Sequence, residues 1–246
     1  MEKNEKDSEQ VGMTHKRLKK IMSEFLTSPQ FYDFLKGPLV WVSFILFIGG
    51  SIYRISSLLS KAKKAKVISN YISLKYTLRS LLHWLIPFAS TNMRKHPWFT
   101  VVAFLFHGCL ILTPLVLRAH NDLWYDAWQI RLWSVPESAA DVMTFIVILC
   151  VVIFILRRII TPEVRFVTFA SDFIVLAIAA APFVSGFLAY HQLFFDYKLM
   201  VALHILFGEM MLIAIPFTRL SHMLFFWLTR AYTGSDFGAV RHSRDY

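Results

Sequence analysis

Apolar residues in this chain come in long unbroken blocks rather than at a helical or strand period. Five blocks stand out, at roughly 38–53, 97–119, 140–156, 167–189 and 199–218, and the last continues amphipathically to about Leu228. A helix rises about 1.5 Å per residue, so roughly 20 apolar residues cross a hydrocarbon core of about 30 Å. The blocks predict five membrane-spanning helices, the first and third of them short. Residues 74–88, LKYTLRSLLHWLIPF, are too few and too charged to span, and Pro87 ends them. That segment and residues 22–36 predict amphipathic helices lying in the interface. The expected organisation is a polar and amphipathic segment over 1–37, one membrane domain over 38–230 and a tail over 231–246.

Composition agrees with the blocks. The chain has 246 residues and 56% of them are hydrophobic, against about 45–50% in soluble domains. A charged opening (Met1 to Glu9), with no apolar run and small-residue cleavage site behind it, predicts no cleavable signal peptide. Cys109 and Cys150 both fall inside predicted spans, and no CxxCH is present. That pattern excludes covalent c-type haem and a disulfide framework, and it makes the two thiols small buried hydrophobes.

Net charge is +10. The surplus is sorted by loop, which is a membrane pattern rather than a nucleic-acid footprint. Residues 54–95 hold nine basic residues (Arg54, Lys61, Lys63, Lys64, Lys66, Lys75, Arg79, Arg94, Lys95) and no acid. Residues 157–165 hold Arg157, Arg158 and Arg165 against Glu163, and the tail holds Arg219, Arg230, Arg241 and Arg244. The loop 118–141 holds two arginines against four acids, with Trp124, Trp128 and Trp133 as an interfacial belt. Basic loops stay in the cytoplasm. The expected topology is an all-α five-helix bundle, N-terminus outside and C-terminus cytoplasmic. Lys16, Arg17, Lys19 and Lys20 oppose this, but residues 1–36 are nearly balanced, seven basic against six acidic.

An ionisable side chain inside a span is a functional hypothesis by default. Of nine histidines, His107, His204 and His222 lie in apolar helical surroundings, and His120 lies at the outer end of span two. His15, His83, His96, His191 and His242 lie at interfaces or in water. His204 and His222 are 18 residues apart, which is five turns of about 3.6 residues and about 27 Å of helix. On one continuous helix they share a face. That arrangement suits two b-type haems, one toward each side, each imidazole giving one nitrogen to iron and donating from the other. Two histidines per iron leave no open position, so the chemistry expected is electron transfer. Span two must supply the opposite ligands. His107 is expected to pair with His222 on the inner side and His120 with His204 on the outer side. Thirteen residues separate His107 from His120, which puts them on opposite faces of a straight helix. A kink or local unwinding at Pro114 would re-aim the outer one. The rival is His96, eleven residues before His107 and nearly in phase with it.

The stretch HILFGEMMLIAIPFTRLSH (His204–His222) resembles the last span of the nitrate reductase gamma subunit family, a dihaem cytochrome b. The matching positions are His204, Gly208, Pro216-Phe217, Arg219-Leu220 and His222. FIGGSIYR (Phe47–Arg54), FLFHG (Phe104–Gly108) and RRIITPEVRFVTFASD (Arg157–Asp172) resemble the end of that family's first span, its second-span ligand motif and the approach to its fourth span. The likeness covers about 47–228. Three features depart from it. The chain has an added N-terminal segment and a longer basic loop 55–95. The outer span-two ligand falls 13 residues past His107, while Leu117 stands at the family's position. No lysine stands in the loop after span two, where the family places one near its quinol site; Arg118 and Arg131 are the nearest basic groups. HPWFTVVAFLFHGCLILTPLVLRAHNDLW (His96–Trp124) is more similar to cytochrome b subunits of the Tmc, Hmc and Dsr-type redox complexes of sulfate-reducing bacteria.

The resemblance implies a subunit of the bacterial inner membrane. It would pass electrons between a periplasmic quinol or multihaem cytochrome c and a cytoplasmic iron–sulfur subunit, heterodisulfide-reductase-like or ferredoxin-like, docked on the basic loop and tail. Menaquinone would act beside the outer haem. Arg54 and Arg219 on the inner side are candidates for holding haem propionates, and Arg118, Arg131, Asp122 and Asp126 on the outer for holding propionates or handling protons. Asp172 is expected to pair with Arg157, Arg158 or Arg165; Glu209 serves a proton route or an interhelical bond. Gly49, Gly50, Gly108, Gly186 and Gly208 admit a porphyrin edge or a neighbouring helix. The competing readings are a membrane anchor without redox cofactor and a proton-coupled transporter.

Overall fold

The structure is a computed structural model that describes residues 17, 21, 24–64, 72–194 and 196–243. His15, Lys16, Lys19, Lys20, Lys66 and Arg244 lie outside the described residues. Those described form helices and connecting turns, with no strand among them. Five helices are long and apolar enough to cross a membrane.

The first of these, α1 (Val40–Lys64), is entered through a short helix, Pro29–Phe34, and a wide π turn, Leu35–Leu39. Ser28 caps the short helix by accepting from the Phe31 amide, and Pro29 takes the first position, where no amide is needed. The π turn holds Pro38, which has no N–H for the helical ladder. The next helix, α2 (Leu74–Leu85), is amphipathic and ends at Ile86, extended before Pro87. Three spans follow with short connections: α3 (Pro97–Val116), then the short helix α4 (Arg118–Trp128) after a break, then α5 (Glu137–Ile160) and α6 (Ala170–Tyr190). The fifth span is α7 (Tyr197–Phe217), whose first amides are capped by Asp196. Past a 3-10 turn at Arg219–Ser221 comes α8 (His222–Ser235).

Helix ends differ from the apolar blocks for a physical reason. Apolar runs mark what must be in hydrocarbon, whereas α1 continues past Arg54 to Lys64 through Ser, Leu and Lys that favour or tolerate helix in water. The larger difference is at the end of span five. The amphipathic continuation to Leu228 is not one helix. It breaks at Thr218, whose backbone is extended. The Thr218 hydroxyl donates to Ala214 O at 2.7 Å and accepts from the Leu220 amide at 3.2 Å. One side chain thereby closes α7 and starts the next turn.

Spans pack in the order α1, α7, α6, α5, α3. The core lies among α3, α5 and α6: Val102, Phe106 and Cys109 meet Val147, Cys150 and Val151, with Ala180 and Phe183. Both cysteines are free and buried there. On the outer surfaces of the spans, Trp41, Ile45, Ile52, Phe145 and Ile174 stand more than half exposed, as helices facing acyl chains require. The α1–α7 contact is close. A Cβ on Gly50 would come within 2.8 Å of Pro216 and 2.9 Å of Phe217. The α2–α8 contact is closer still, since a Cβ on Gly234 would stand 2.6 Å from both Ser80 Cβ and the Tyr76 carbonyl oxygen. Trp84 stacks on Phe226 with centroids 5.3 Å apart, and Ser235 accepts from the Ser73 amide. The opposite face of α2 leaves Leu74, Leu78, Leu82 and Leu85 exposed.

Candidate functional site

Four histidines come together in two pairs. His107, in the middle of α3, and His222, the first residue of α8, have ring centroids 6.2 Å apart with planes at 80°. His120 on α4 and His204 on α7 have centroids 5.9 Å apart with planes at 25°. One pair thus lies between α3 and α8 and the other between α4 and α7.

All four rings are held the same way. The Nδ1 of His107 donates to Ala103 O at 2.8 Å, and that of His222 to Arg219 O at 2.9 Å. The Nδ1 of His120 donates to Pro114 O at 3.0 Å, and that of His204 to Pro182 O at 2.8 Å, with Ser185 Oγ at 3.3 Å. A carbonyl oxygen only accepts, so each Nδ1 carries the proton. In a neutral ring Nε2 is then the lone-pair nitrogen. Among the described residues no hydrogen bond engages any of the four Nε2 atoms. Burial pushes His120 below the usual imidazole range, partly offset by the Pro114 carbonyl, which favours the neutral ring.

Paired imidazoles whose Nε2 atoms make no hydrogen bond are a donor set that could hold a metal ion. Metal–imidazole nitrogen bonds are about 2.0–2.1 Å long, so two rings on opposite sides of one ion have centroids about 6 Å apart, the spacing of both pairs. No three His, Cys, Asp or Glu side chains gather as a metal cage among the described residues; a haem would ask fewer side chains of the protein than such a cage. A Cβ on Gly108, next to His107, or on Gly208, four residues past His204, would meet no atom within 4 Å. Gly186 is different: its Cα faces the His204 ring.

The geometry of span five replaces the single-helix argument. His204 and His222 do not share one continuous helix, because the chain breaks at Thr218 and His222 opens α8. Span two is re-aimed by unwinding rather than by a smooth kink. Its helix stops at Val116, Leu117 is extended, and His120 belongs to α4. The structure brings His120, not His96, to another histidine. His96 sits exposed at the start of α3, where its carbonyl accepts from the Thr100 hydroxyl at 3.0 Å.

Arg54 donates to Ser221 Oγ at 3.4 Å, next to His222. Arg219 is ion-paired with Asp172, whose other oxygen lies 3.6 Å from Arg158. Asp172 is 3% exposed and also accepts from the Phe169 amide at 2.8 Å, capping α6. Its partners are thus Arg158 and Arg219; Arg157 instead stacks over Phe99 at 4.0 Å. At the other end, Asp122 gathers Arg131 at 3.1 Å and Arg118 at 3.9 Å, all well exposed. Asp126 is exposed as well. Glu209 is buried, and neither carboxyl oxygen has a hydrogen-bond partner among the described residues.

Against known proteins, 215 residues align at 38% identity with a protein of Nitratidesulfovibrio vulgaris described simply as "Protein", covering 85% of this chain and 95% of that one. The chain belongs to the same family. The likeness runs over most of both chains rather than one short motif. No family model matches the chain, and no solved structure matches it.

Proposed function

We propose that this protein is a dihaem cytochrome b subunit of a membrane redox complex, related to the nitrate reductase gamma subunit family. The observation that carries the reading is the paired imidazoles. Both centroid distances, 5.9 and 6.2 Å, suit an ion held between two rings, and all four Nδ1 protons are spent on backbone carbonyls. His107 and His222 are the ligands of one haem, His120 and His204 those of the other. Two b haems bound there would supply one-electron transfer between the two sides of the membrane.

The chain's own residues then have distinct tasks. Ala103, Arg219, Pro114 and Pro182 carbonyls fix the tautomer and orientation of each ring. Arg54 and Arg219 offer guanidinium groups beside His222, and Arg118 and Arg131 do so in the helix and loop after His120. In the reading by loop charge, the end with Arg54, Arg158 and Arg219 faces the cytoplasm and the N-terminus lies outside. An iron–sulfur subunit would dock on the basic side. Menaquinol or a multihaem cytochrome c would exchange electrons on the acidic side. The relative's source, a sulfate-reducing bacterium, supports a complex of the Tmc, Hmc or Dsr type in the inner membrane.

A reduced-minus-oxidised spectrum of the purified protein tests this. The expected result is a b-type α-band and two haems per chain by pyridine haemochrome. A protein purified intact from a haem-replete host with no α-band would be a membrane anchor or transporter instead.

A further inference from the structure

The geometry points to Asn121 as the residue that aims His120 at His204. This rests on the dihaem reading for its consequence but not for its geometry. A helix leaves its last four carbonyls without intrahelical donors, and inside an apolar bundle each of them needs another partner. At the end of α3 every one is accounted for. Thr113 O takes the Leu117 amide at 3.0 Å, and Pro114 O takes His120 Nδ1 at 3.0 Å. Leu115 O takes Asn121 Nδ2 at 3.1 Å, and Val116 O takes the Val135 amide at 3.1 Å. The break at Leu117 is therefore a closed set of hydrogen bonds rather than a frayed end, and Asn121 is the member beside His120 that also reaches outside the helix pair.

Asn121 is fully buried, and its whole amide is used. The two N–H groups of Nδ2 are shared among three acceptors, Leu115 O at 3.1 Å, Ser134 Oγ at 3.0 Å and Leu117 O at 3.3 Å, while Oδ1 accepts from the Leu132 amide at 3.0 Å. It thus ties the loop at 132–135 onto the break. The alternative conformation is a helix that runs straight on past Leu117. That helix would carry His120 to the face opposite His107, thirteen residues away at about 100° each. An asparagine stabilises the broken form because its amide both donates and accepts, which neither an aspartate nor an alanine can reproduce. Asn121 is a positioning residue: it touches neither ring of the pair in the bonds described.

Two readouts test the proposal, one with haem and one without. In purified Asn121→Asp and Asn121→Ala, one low-spin haem signal in electron paramagnetic resonance should shift or vanish. It should be the signal that His204→Ala removes, while the signal that His222→Ala removes stays in place. In a His120→Cys, His204→Cys protein, a short thiol-to-thiol crosslinker should join the two positions, and adding Asn121→Asp should cut the crosslinked fraction several-fold. Unchanged crosslinking would overturn the proposal, as would equal loss of both haem signals, which would mark Asn121 as a general folding residue. If the parent protein binds no haem, the crosslinking result alone decides for or against Asn121, and only the dihaem reading falls.

Discussion

Gly186 of α6 lies directly against the imidazole of His204 on α7: a Cβ there would stand 3.0 Å from Cε1 and 3.1 Å from Nδ1. The same ring donates to Pro182 O on that helix. The α6 surface therefore holds His204 by a hydrogen bond on one side and by the absence of a side chain on the other. Gly186→Ala should displace the ring rather than the helix, at about 1–3 kcal/mol for overpacking. The measured outcome is a changed midpoint potential for the haem of His204, with the other haem unmoved. A wild-type redox titration in this variant would mean the ring has slack that the structure does not show.

The proposed ligand set predicts a pattern across five alanine variants. His107→Ala and His222→Ala should each lose the same single haem, and His120→Ala and His204→Ala the other. His96→Ala should keep both, since His96 faces no other histidine ring. Haem-to-protein ratio measures this directly. Loss of a haem in His96→Ala with two haems retained in His120→Ala would reverse the span-two assignment.

Asp172 predicts a stability effect. It is buried, with two arginines and one amide on its carboxylate. Breaking a fully buried pair costs about 3–5 kcal/mol, but Arg219 is 59% exposed and recovers much of its solvation. Asp172→Asn should therefore destabilise by about 1–3 kcal/mol. Because Arg219 supplies the carbonyl that orients His222, the haem of His222 should be the first lost on warming. Haem release followed against temperature in detergent checks both parts.

Gly234 predicts a packing effect away from the histidines. Any Cβ there meets the Tyr76 carbonyl, a backbone atom that no rotamer change can move. Gly234→Ala should separate α2 from α8 and expose the Trp84–Phe226 stack. Faster proteolysis within 65–90, with haem content near normal, is the expected result.

Much of this fold was legible because hydrocarbon imposes one simple demand. Blocks of apolar residues announced five spans, and LKYTLRSLLHWL announced α2. The histidines at 107, 120, 204 and 222 stood out because imidazole is expensive there. The breaks were not legible. A threonine at 218 and an asparagine at 121 read as ordinary polar residues near helix ends. Only the carbonyls they satisfy reveal that they redirect the chain. The spacing of His204 and His222 pointed to a shared face through a helix that does not run that far. The partners of Asp172 were half legible: Arg158 is near in sequence, whereas Arg219 comes from another span 47 residues on.

The order of packing, α1 on α7 on α6 on α5 on α3, has a consequence for how the chain is made. Spans two to five emerge as successive neighbours, and each can settle on the one before it. Span one emerges first, yet its recorded close contact is with the last, through Gly50 against Pro216 and Phe217. At a synthesis rate of about 5–20 residues per second, α1 waits on the order of ten seconds or more in the bilayer before its neighbour exists. Of the five spans, the first to be made is the last to be docked, and until then the side of α7 it covers stays open.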